Sequence, residues 1–572
     1  MKKRTFFFPV LAALTLTGCS NDDSGIDTPK VFTGDEAYIA VRLSDAGIQS
    51  RAATEDPGYE YGSEDEHFVQ NAYFYFYDAN GVFVSEGSAW NDGTPSSGTS
   101  GNIEFKSKNV VALKGLTKKN YPKYMVTVLN RPSNFEYGKT LYEMEKALSG
   151  GIKDDNGKFV MSTSSWSGQK DAEGKEMKYF VTEIKEENFS LEPIDHNANS
   201  TDYVTVYVER LAAKVTLKAS SSLASTTING KKYYEIKATV AGAGNNNKDD
   251  TAAENLYVEL LGWKLNATAK DSYIVKNLNE GWTDTGLGFV WNKPSDFRSF
   301  WGKSYNYGLD GYPANAGEAS SCEYLDYFDL YSGLVDLGES AYCAENTNTS
   351  EIVSKNFPSV VTSILVKARI CNQAGEPLDL VRFNGMLFKK NSFLEYVLNV
   401  MKAKSLLNVW VETTPEGSVE KTYEQIGAAC VELNHVGDGG VNVVLKEGMT
   451  LYERSGQEFE PIADLSKVTN DLKTESGDAI GYNGGLMYYN IPIEHLNNGD
   501  ADENGNIPEA KYGVVRNHHY YVTINKLEKI GKGIYDPHEA IVPGKDDDKE
   551  TYYVGATINI LSWKIVSQDV EL

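Results

Sequence analysis

The clearest alternation of apolar and polar positions lies in residues 552–572, YYVGATINILSWKIVSQDVEL. Over the last seven residues Val566, Val570 and Leu572 share one parity with Gln568, while Ser567, Asp569 and Glu571 hold the other. Period-two alternation sets one face on a core and the other in water, which predicts a half-buried strand with Leu572 as a core residue. Upstream the phase changes twice. Ile558 and Ile560 share a parity with Val554 and Ala556, Leu561, Trp563 and Ile565 take the other, and the first then resumes. The seventeen residues from Ala556 would span roughly 55 Å, too long for one typical strand. Bulges or a kink are therefore expected near 560–561 and 565–566, with part of the stretch pairing inside its own chain. Burying Ile558, Ile560, Trp563, Val566, Val570 and Leu572 is worth on the order of 10 kcal/mol before the cost of ordering the strand.

A second isolated strand stands at the other end. Residues 37–43, AYIAVRL, place Ile39, Val41 and Leu43 on one face, between polar, turn-prone segments at 20–35 and 44–62. A strand so flanked is detachable. Its following loop carries Arg51-Ala52 in an exposed context of the kind proteases cut.

From Phe68 onward strands recur. Residues 72–77 run through Asp78-Ala79-Asn80-Gly81 into 82–84, a hairpin with an Asn-Gly turn. Further strands are predicted at 124–130 and 203–208. One helix is predicted: Thr140-Leu141-Tyr142-Glu143 forms a capping box, Leu141, Met144 and Leu148 share a face, and Gly150 ends it. Residues 209–215, ERLAAKV, lead into a new strand ending near Lys218, and a domain boundary falls there. The second unit carries predicted strands at 235–239, 256–267, 360–371, 378–387 and 395–400. Residues 401–512 are less regular, and pattern returns at 512–527. The acidic, proline-containing linker 531–550 stays extended and leaves the final strand on a tether.

Composition agrees with strands. Tyr (36) and Phe (22) outnumber Pro (17), which suits half-buried pleated sheets better than a helical bundle. A net charge of -25 argues against nucleic acid and anionic membranes as partners. The N-terminus adds an address. Lys2, Lys3 and Arg4 precede an apolar run from Phe6 to Leu16, which is too short to span a membrane and reads as a secretory signal, residues 1–18. Leu16-Thr17-Gly18-Cys19 resembles the bacterial lipobox, with Cys19 as the acylated residue, and Ser20-Asn21-Asp22-Asp23 resembles the acidic export signal of Bacteroidetes surface lipoproteins. The remaining Cys322, Cys343, Cys371 and Cys430 allow three pairings or none, and their spacing disfavours structural zinc.

Candidate chemistry adds little. His538-Glu539 opens an HExxH whose last position is Val542, and Gly302-Lys303-Ser304 ends a P-loop whose first glycine is replaced by Phe297. Neighbouring His518 and His519 face opposite sides of a strand and cannot share a metal. Asp154-Asp155-Asn156-Gly157 and Asp502-Glu503-Asn504-Gly505 read as turns rather than calcium loops. The aromatic stretch 291–301, WNKPSDFRSFW, suits packing under a long loop better than ligand stacking. No catalytic residue, metal site or cofactor is expected.

Several of these pieces converge. The lipobox at Cys19, the detachable strand before Arg51-Ala52, ERLAAKV at 209–215, Tyr342-Cys343-Ala344-Glu345-Asn346 and the ending LSWKIVSQDVEL at 561–572 together resemble the fimbrillins of Bacteroidales, most closely the shaft subunit of minor (short, Mfa-type) fimbriae. The resemblance implies an all-β chain of two tandem Greek-key (transthyretin-like) β-sandwich domains with short helices in loops. The implied parts are a propeptide at 19–51, sandwiches at 52–210 and 211–532, a linker at 533–551 and a donor strand at 552–572. It also implies a mechanism. An outer-membrane lipoprotein precursor is cut after Arg51 by an arginine-specific protease, which removes the strand with Ile39, Val41 and Leu43. The C-terminal strand of an identical subunit fills the groove. Implied partners are anchor and tip subunits and a host or bacterial surface target, in adhesion and biofilm formation by extracellular fimbriae. The competing reading is a monomeric surface-anchored sandwich that binds glycan or host protein.

Overall fold

The computed structural model describes residues 37–45, 59–60, 62–90, 106–113, 116, 122–164, 166–167, 179–190, 204–244, 251–277, 301–309, 322–325, 328–437, 439–496, 499–536 and 563–571. They form an all-β protein of two tandem sandwiches. In the first, Asn71–Tyr77 pairs on one side with Phe83–Trp90 and on the other with Tyr124–Leu129, and the sheet continues through Met161–Thr163 to Val204–Arg210. Alternation decides the packing. Phe74 and Phe76 join Val111, Leu113, Met125, Val204, Val206 and Val208 in one core, whereas Tyr75 and Tyr77 face a second with Tyr124, Val126, Leu141 and Met144. The Asn-Gly turn forms as its residues require. Asp78 Oδ1 accepts from the backbone N–H groups of Asn80 and Val82 at 2.8 and 2.9 Å, and Gly81 takes φ +73°.

Sheet membership changes at Leu211. Val204–Arg210 belongs to the first sheet, and Ala212–Ala219 opens a five-stranded sheet in the order Ser340–Ala344, Ala212–Ala219, His518–Lys526, Trp563–Glu571, Tyr59–Glu60. That sheet covers an eleven-stranded one built around Lys231–Ala241, Thr251–Asn266, Ser363–Cys371 and Leu486–Pro492. Between them lie Val215, Leu217, Tyr520, Val522 and Ile524 from one side and Ile236, Val258, Trp263, Ile364 and Val366 from the other.

Three expectations are corrected. Residues 395–400 are not a strand but lie inside the helix Lys390–Ala403, which buries Phe393, Leu394, Val397, Leu398 and Met401. A six-residue window, EYVLNV, is ambiguous between the two periods, and only the longer window shows the i, i+4 spacing. The predicted strand 378–387 is two strands, Leu380–Phe383 and Met386–Lys389, folded at Asn384-Gly385, both with positive φ. The capped helix is shorter than expected. Thr140 and Glu143 form the box, but the helix stops at Glu145 and leaves Leu148 39% exposed. The stretch that reads as irregular, 401–512, holds a third core, where the long helix packs with Ser466–Glu475 over Val441, Val443 and Leu451.

Candidate functional site

The first strand, Ala37–Asp45, lies between two neighbours of opposite sense. Along one side it runs antiparallel to Lys106–Leu113, pairing Ile39 with Val111, Val41 with Asn109 and Leu43 with Ser107. Along the other it runs parallel to Val204–Arg210, pairing Val41 with Val204 and Leu43 with Val206, after a short antiparallel contact of Ile39 with Phe189. The register partners Val111, Phe189, Val204 and Val206 are all core residues, none more than 6% exposed. A parallel neighbour cannot be reached through a tight hairpin, so the strand is held by strands distant in sequence. On its far side Lys106–Leu113 approaches Phe83–Trp90 so closely that a Cβ on Gly87 would sit 2.2 Å from Val111 Cγ1. The first strand therefore fills a seam in an almost closed wall.

The last strand, Trp563–Glu571, has the same nine-residue length and the same kind of surroundings. It runs parallel to His518–Lys526 and antiparallel to Tyr59–Glu60. Val566, Gln568 and Val570 pair with Tyr520, Val522 and Ile524, all fully buried. The bulge expected near 565–566 does not form. Register runs unbroken from Lys564 to Val570, and the irregularity falls in the partner strand between Ile524 and Lys526. Cys19, Arg51, Ala52, Ile558, Ile560, Leu572 and the expected kink near 560–561 lie outside the described residues.

Between the sandwiches the ERLAAKV segment supplies a buried polar lock. Glu209 Oε1 lies 2.6 Å from Lys276 Nζ, with both side chains 1% exposed. Burial pushes the Glu209 carboxyl up and the Lys276 amine down, because desolvation outweighs the attraction of the pair. Arg210 Nε donates to the Glu66 carbonyl at 2.6 Å and its Nη1 to Asn517 Oδ1 at 3.1 Å. Glu66 closes the capping box of the short helix Glu64–His67 and also receives Lys214 Nζ at 2.9 Å and Tyr342 O–H at 2.5 Å from the second sandwich. Behind it Arg516 pairs with Glu345 at 3.2 Å and donates to the Ile274 and Tyr273 carbonyls at 3.2 and 2.8 Å. Sequence reading missed most of this lock, although three charges within one strand-forming segment were its visible signal.

Other sequence candidates fall into structural roles. Trp301 is fully buried against Ala510 and Val515 and donates to Glu509, while residues 291–300 lie outside the described residues. His518 and His519 do face apart, the first toward His495 and the Arg516 carbonyl, the second toward Thr216. The four described cysteines are buried free thiols. Burial pushes Cys343 up to about 12, and burial with Glu259 pushes Cys371 up to about 11. Asp502 caps its own turn, accepting from the backbone N–H groups of Asn504 and Asn506. Among the described residues no group of three or more His, Cys, Asp or Glu could hold a metal ion, and no helix is long and apolar enough to cross a membrane.

A tandem sandwich with a separately held strand in a sheet of each half is the class these features define. Residues 481–569 match the family model described as major fimbrial subunit protein type IV, fimbrillin, C-terminal, so this part of the chain is similar to a fimbrillin C-terminal segment. Among solved structures, similar chains include a fimbrilin (fimA) from Porphyromonas gingivalis W83, at 13% identity and TM-score 0.29, covering 93% of this chain and 96% of that one. A fimbrial assembly protein from Parabacteroides distasonis is similar at 10% identity and TM-score 0.25, covering 74% and 99%. The tip fimbrial protein Mfa3 from Porphyromonas gingivalis, with C-terminal truncation, is similar at 12% identity and TM-score 0.24, covering 68% and 99%. At such scores the likeness to the fimbrillins rests on the C-terminal match. No curated protein matches.

Proposed function

We propose that this protein is the polymerising shaft subunit of a cell-surface fimbria, non-enzymatic, assembled by proteolysis-triggered donor-strand exchange. The observation that carries the reading is the seam of the first strand. Taking Ala37–Asp45 away leaves the backbone edges of Lys106–Leu113 and Val204–Arg210 unpaired over Val111, Leu113, Val204, Val206 and Val208, all now in the core. An unpaired edge above an apolar core is an acceptor for an added strand. The last strand suits it, having the same length and already lying between a parallel and an antiparallel neighbour. Donation requires this strand to leave His518–Lys526. The chain is exported as a lipoprotein through Cys19, and cleavage after Arg51 frees the first strand. The same cut releases the chain just before Tyr59–Glu60, which pairs with the outer edge of the last strand. Head-to-tail exchange between identical subunits does not close on itself and so gives a filament, which anchor and tip subunits would bound and which supports adhesion and biofilm formation.

The test compares the full-length precursor with a chain lacking residues 553–572, each treated with trypsin or an arginine-specific protease. The cut precursor gives a ladder of polymers and the truncated chain gives none. A cut precursor that stays monomeric, or an equal ladder from the truncated chain, overturns the reading.

A further inference from the structure

Outside the sandwich seams, the described residues hold a small four-stranded sheet in the order Tyr423–Gln425, Trp410–Glu412, Leu451–Ser455, Glu458–Pro461. Its two faces differ. Val411 pairs with Leu451, which is 2% exposed, and both pack on the core below. Trp410 pairs with Tyr452 and Gln425, Glu412 with Tyr423, and Arg454 with Phe459, which sets the aromatic residues together on the opposite face. There Tyr423 and Phe459 stack at 4.2 Å with 15° between their planes. Trp410 meets Phe459 edge-on at 5.3 Å, and Tyr452 meets Tyr423 at 4.9 Å. Tyr423 and Phe459 sit on the two edge strands, so their rings reach inward and form a layer across the sheet. All four remain half-exposed.

The charges on this face are already matched. Glu412 accepts from Lys421 Nζ at 3.0 Å, Tyr452 O–H at 3.2 Å and Thr414 O–H at 2.9 Å. The Arg454 guanidinium lies 5.7 Å from the Trp410 ring and 5.8 Å from Phe459, tied to the Gly456 carbonyl at 3.0 Å. A cationic ligand would meet Arg454 and Lys421 at the rings. An anionic one would meet the Glu412 carboxylate among the rings, in a chain of net charge -25. Strand addition is disfavoured at the outer strand, which is short and carries Glu458, Glu460 and Pro461. What remains is an aromatic face ringed by amide, hydroxyl and paired charged groups. A sugar ring lays its C–H face on such rings and hydrogen-bonds at its rim.

We propose that the outer face of this sheet, centred on Trp410, Tyr423 and Phe459, is a binding site for a neutral oligosaccharide. The site does not depend on strand exchange and would be present in monomer and filament alike.

The test titrates the precursor in a calorimeter with cellohexaose, mannohexaose and galactohexaose, and separately with a heparin hexasaccharide and a hexalysine peptide. At least one neutral hexasaccharide binds, and Trp410→Ala and Phe459→Ala each weaken it by about tenfold or more. Trp410→Phe, which keeps a ring, retains most of the binding, and Glu424→Ala, an exposed position of the opposite parity to Tyr423, leaves it unchanged. Circular dichroism melts confirm that each variant is folded. Failure of all three neutral sugars, unchanged affinity in folded Trp410→Ala, or binding only of heparin or hexalysine overturns the proposal. None of these outcomes bears on polymerisation.

Discussion

Glu209 and Lys276 form a 2.6 Å ion pair that water does not reach, with both side chains 1% exposed. Glu209 is the next-to-last residue of the strand Val204–Arg210 that closes the first sandwich, and Lys276 follows the long second-sandwich strand Thr251–Asn266. Removing one partner strands the other as a buried, unpaired charge. Glu209→Gln or Lys276→Met should therefore each cost about 3–5 kcal/mol, measured by urea unfolding. The double variant Glu209→Leu/Lys276→Met should recover most of that loss, since an apolar pair of similar volume avoids desolvating two charges.

Glu66 gives the same junction a pH dependence. Burial alone would raise its carboxyl, but hydrogen bonds from Tyr342, Lys214 and Ser63 bring it down to about 2. A depressed folded-state value stabilises the protein fully above the unfolded value, about 4.3, and the stabilisation disappears as pH falls through about 2. Wild type should thus lose about 3 kcal/mol of stability between pH 5 and 2 that Glu66→Gln does not lose over that interval. Parallel unfolding curves for the two proteins across this range would remove Glu66 as the cause.

How much of this was legible in the sequence depends on distance along the chain. The faces of Phe74, Tyr75, Phe76 and Tyr77 follow from alternation alone, and the structure sends them to two cores as alternation requires. The lock does not follow, because Arg210 and its acceptor Asn517 lie 307 residues apart and no local pattern records such a pairing. The misplaced bulge has a physical reason as well. Ile565 breaks parity with Val566, but its register partner His519 is buried just as His518 is, so at that end apolar residues of either parity lie beside packed material. The helix Lys390–Ala403 was lost to too short a window, and its third core with it.

Gly87 should be the least replaceable position in the wall that holds the first strand. A Cβ there would stand 2.2 Å from Val111 Cγ1, and Val111 is itself the register partner of Ile39. Gly87→Ala must push the Lys106–Leu113 strand away from its neighbour or rotate Val111 out of the core. A cost of about 1–3 kcal/mol is expected, the range for overpacking. Gly157→Ala is the contrast: its Cβ would meet nothing within 4 Å, so any loss there comes from its φ of +76° alone. If Gly87→Ala proves the milder of the two by thermal melting, the close approach of these strands is not what shapes the seam.

The last prediction separates a strand that stays in its own sheet from one that is given away. Thr523 and Asp569 are register partners in the parallel pair of His518–Lys526 and Trp563–Glu571. Thr523→Cys with Asp569→Cys should form a disulfide under oxidising conditions, since adjacent strands stand about 4.8 Å apart and the pairing is direct. The four described native cysteines are buried, so none of them competes for the new pair. If polymerisation needs the last strand to leave, the oxidised variant stays monomeric after protease treatment and reduction restores the ladder seen for wild type. Each single cysteine variant should polymerise in both conditions. An oxidised double variant that still polymerises would mean that the strand remains at home and another segment fills the seam beside Val111 and Val206.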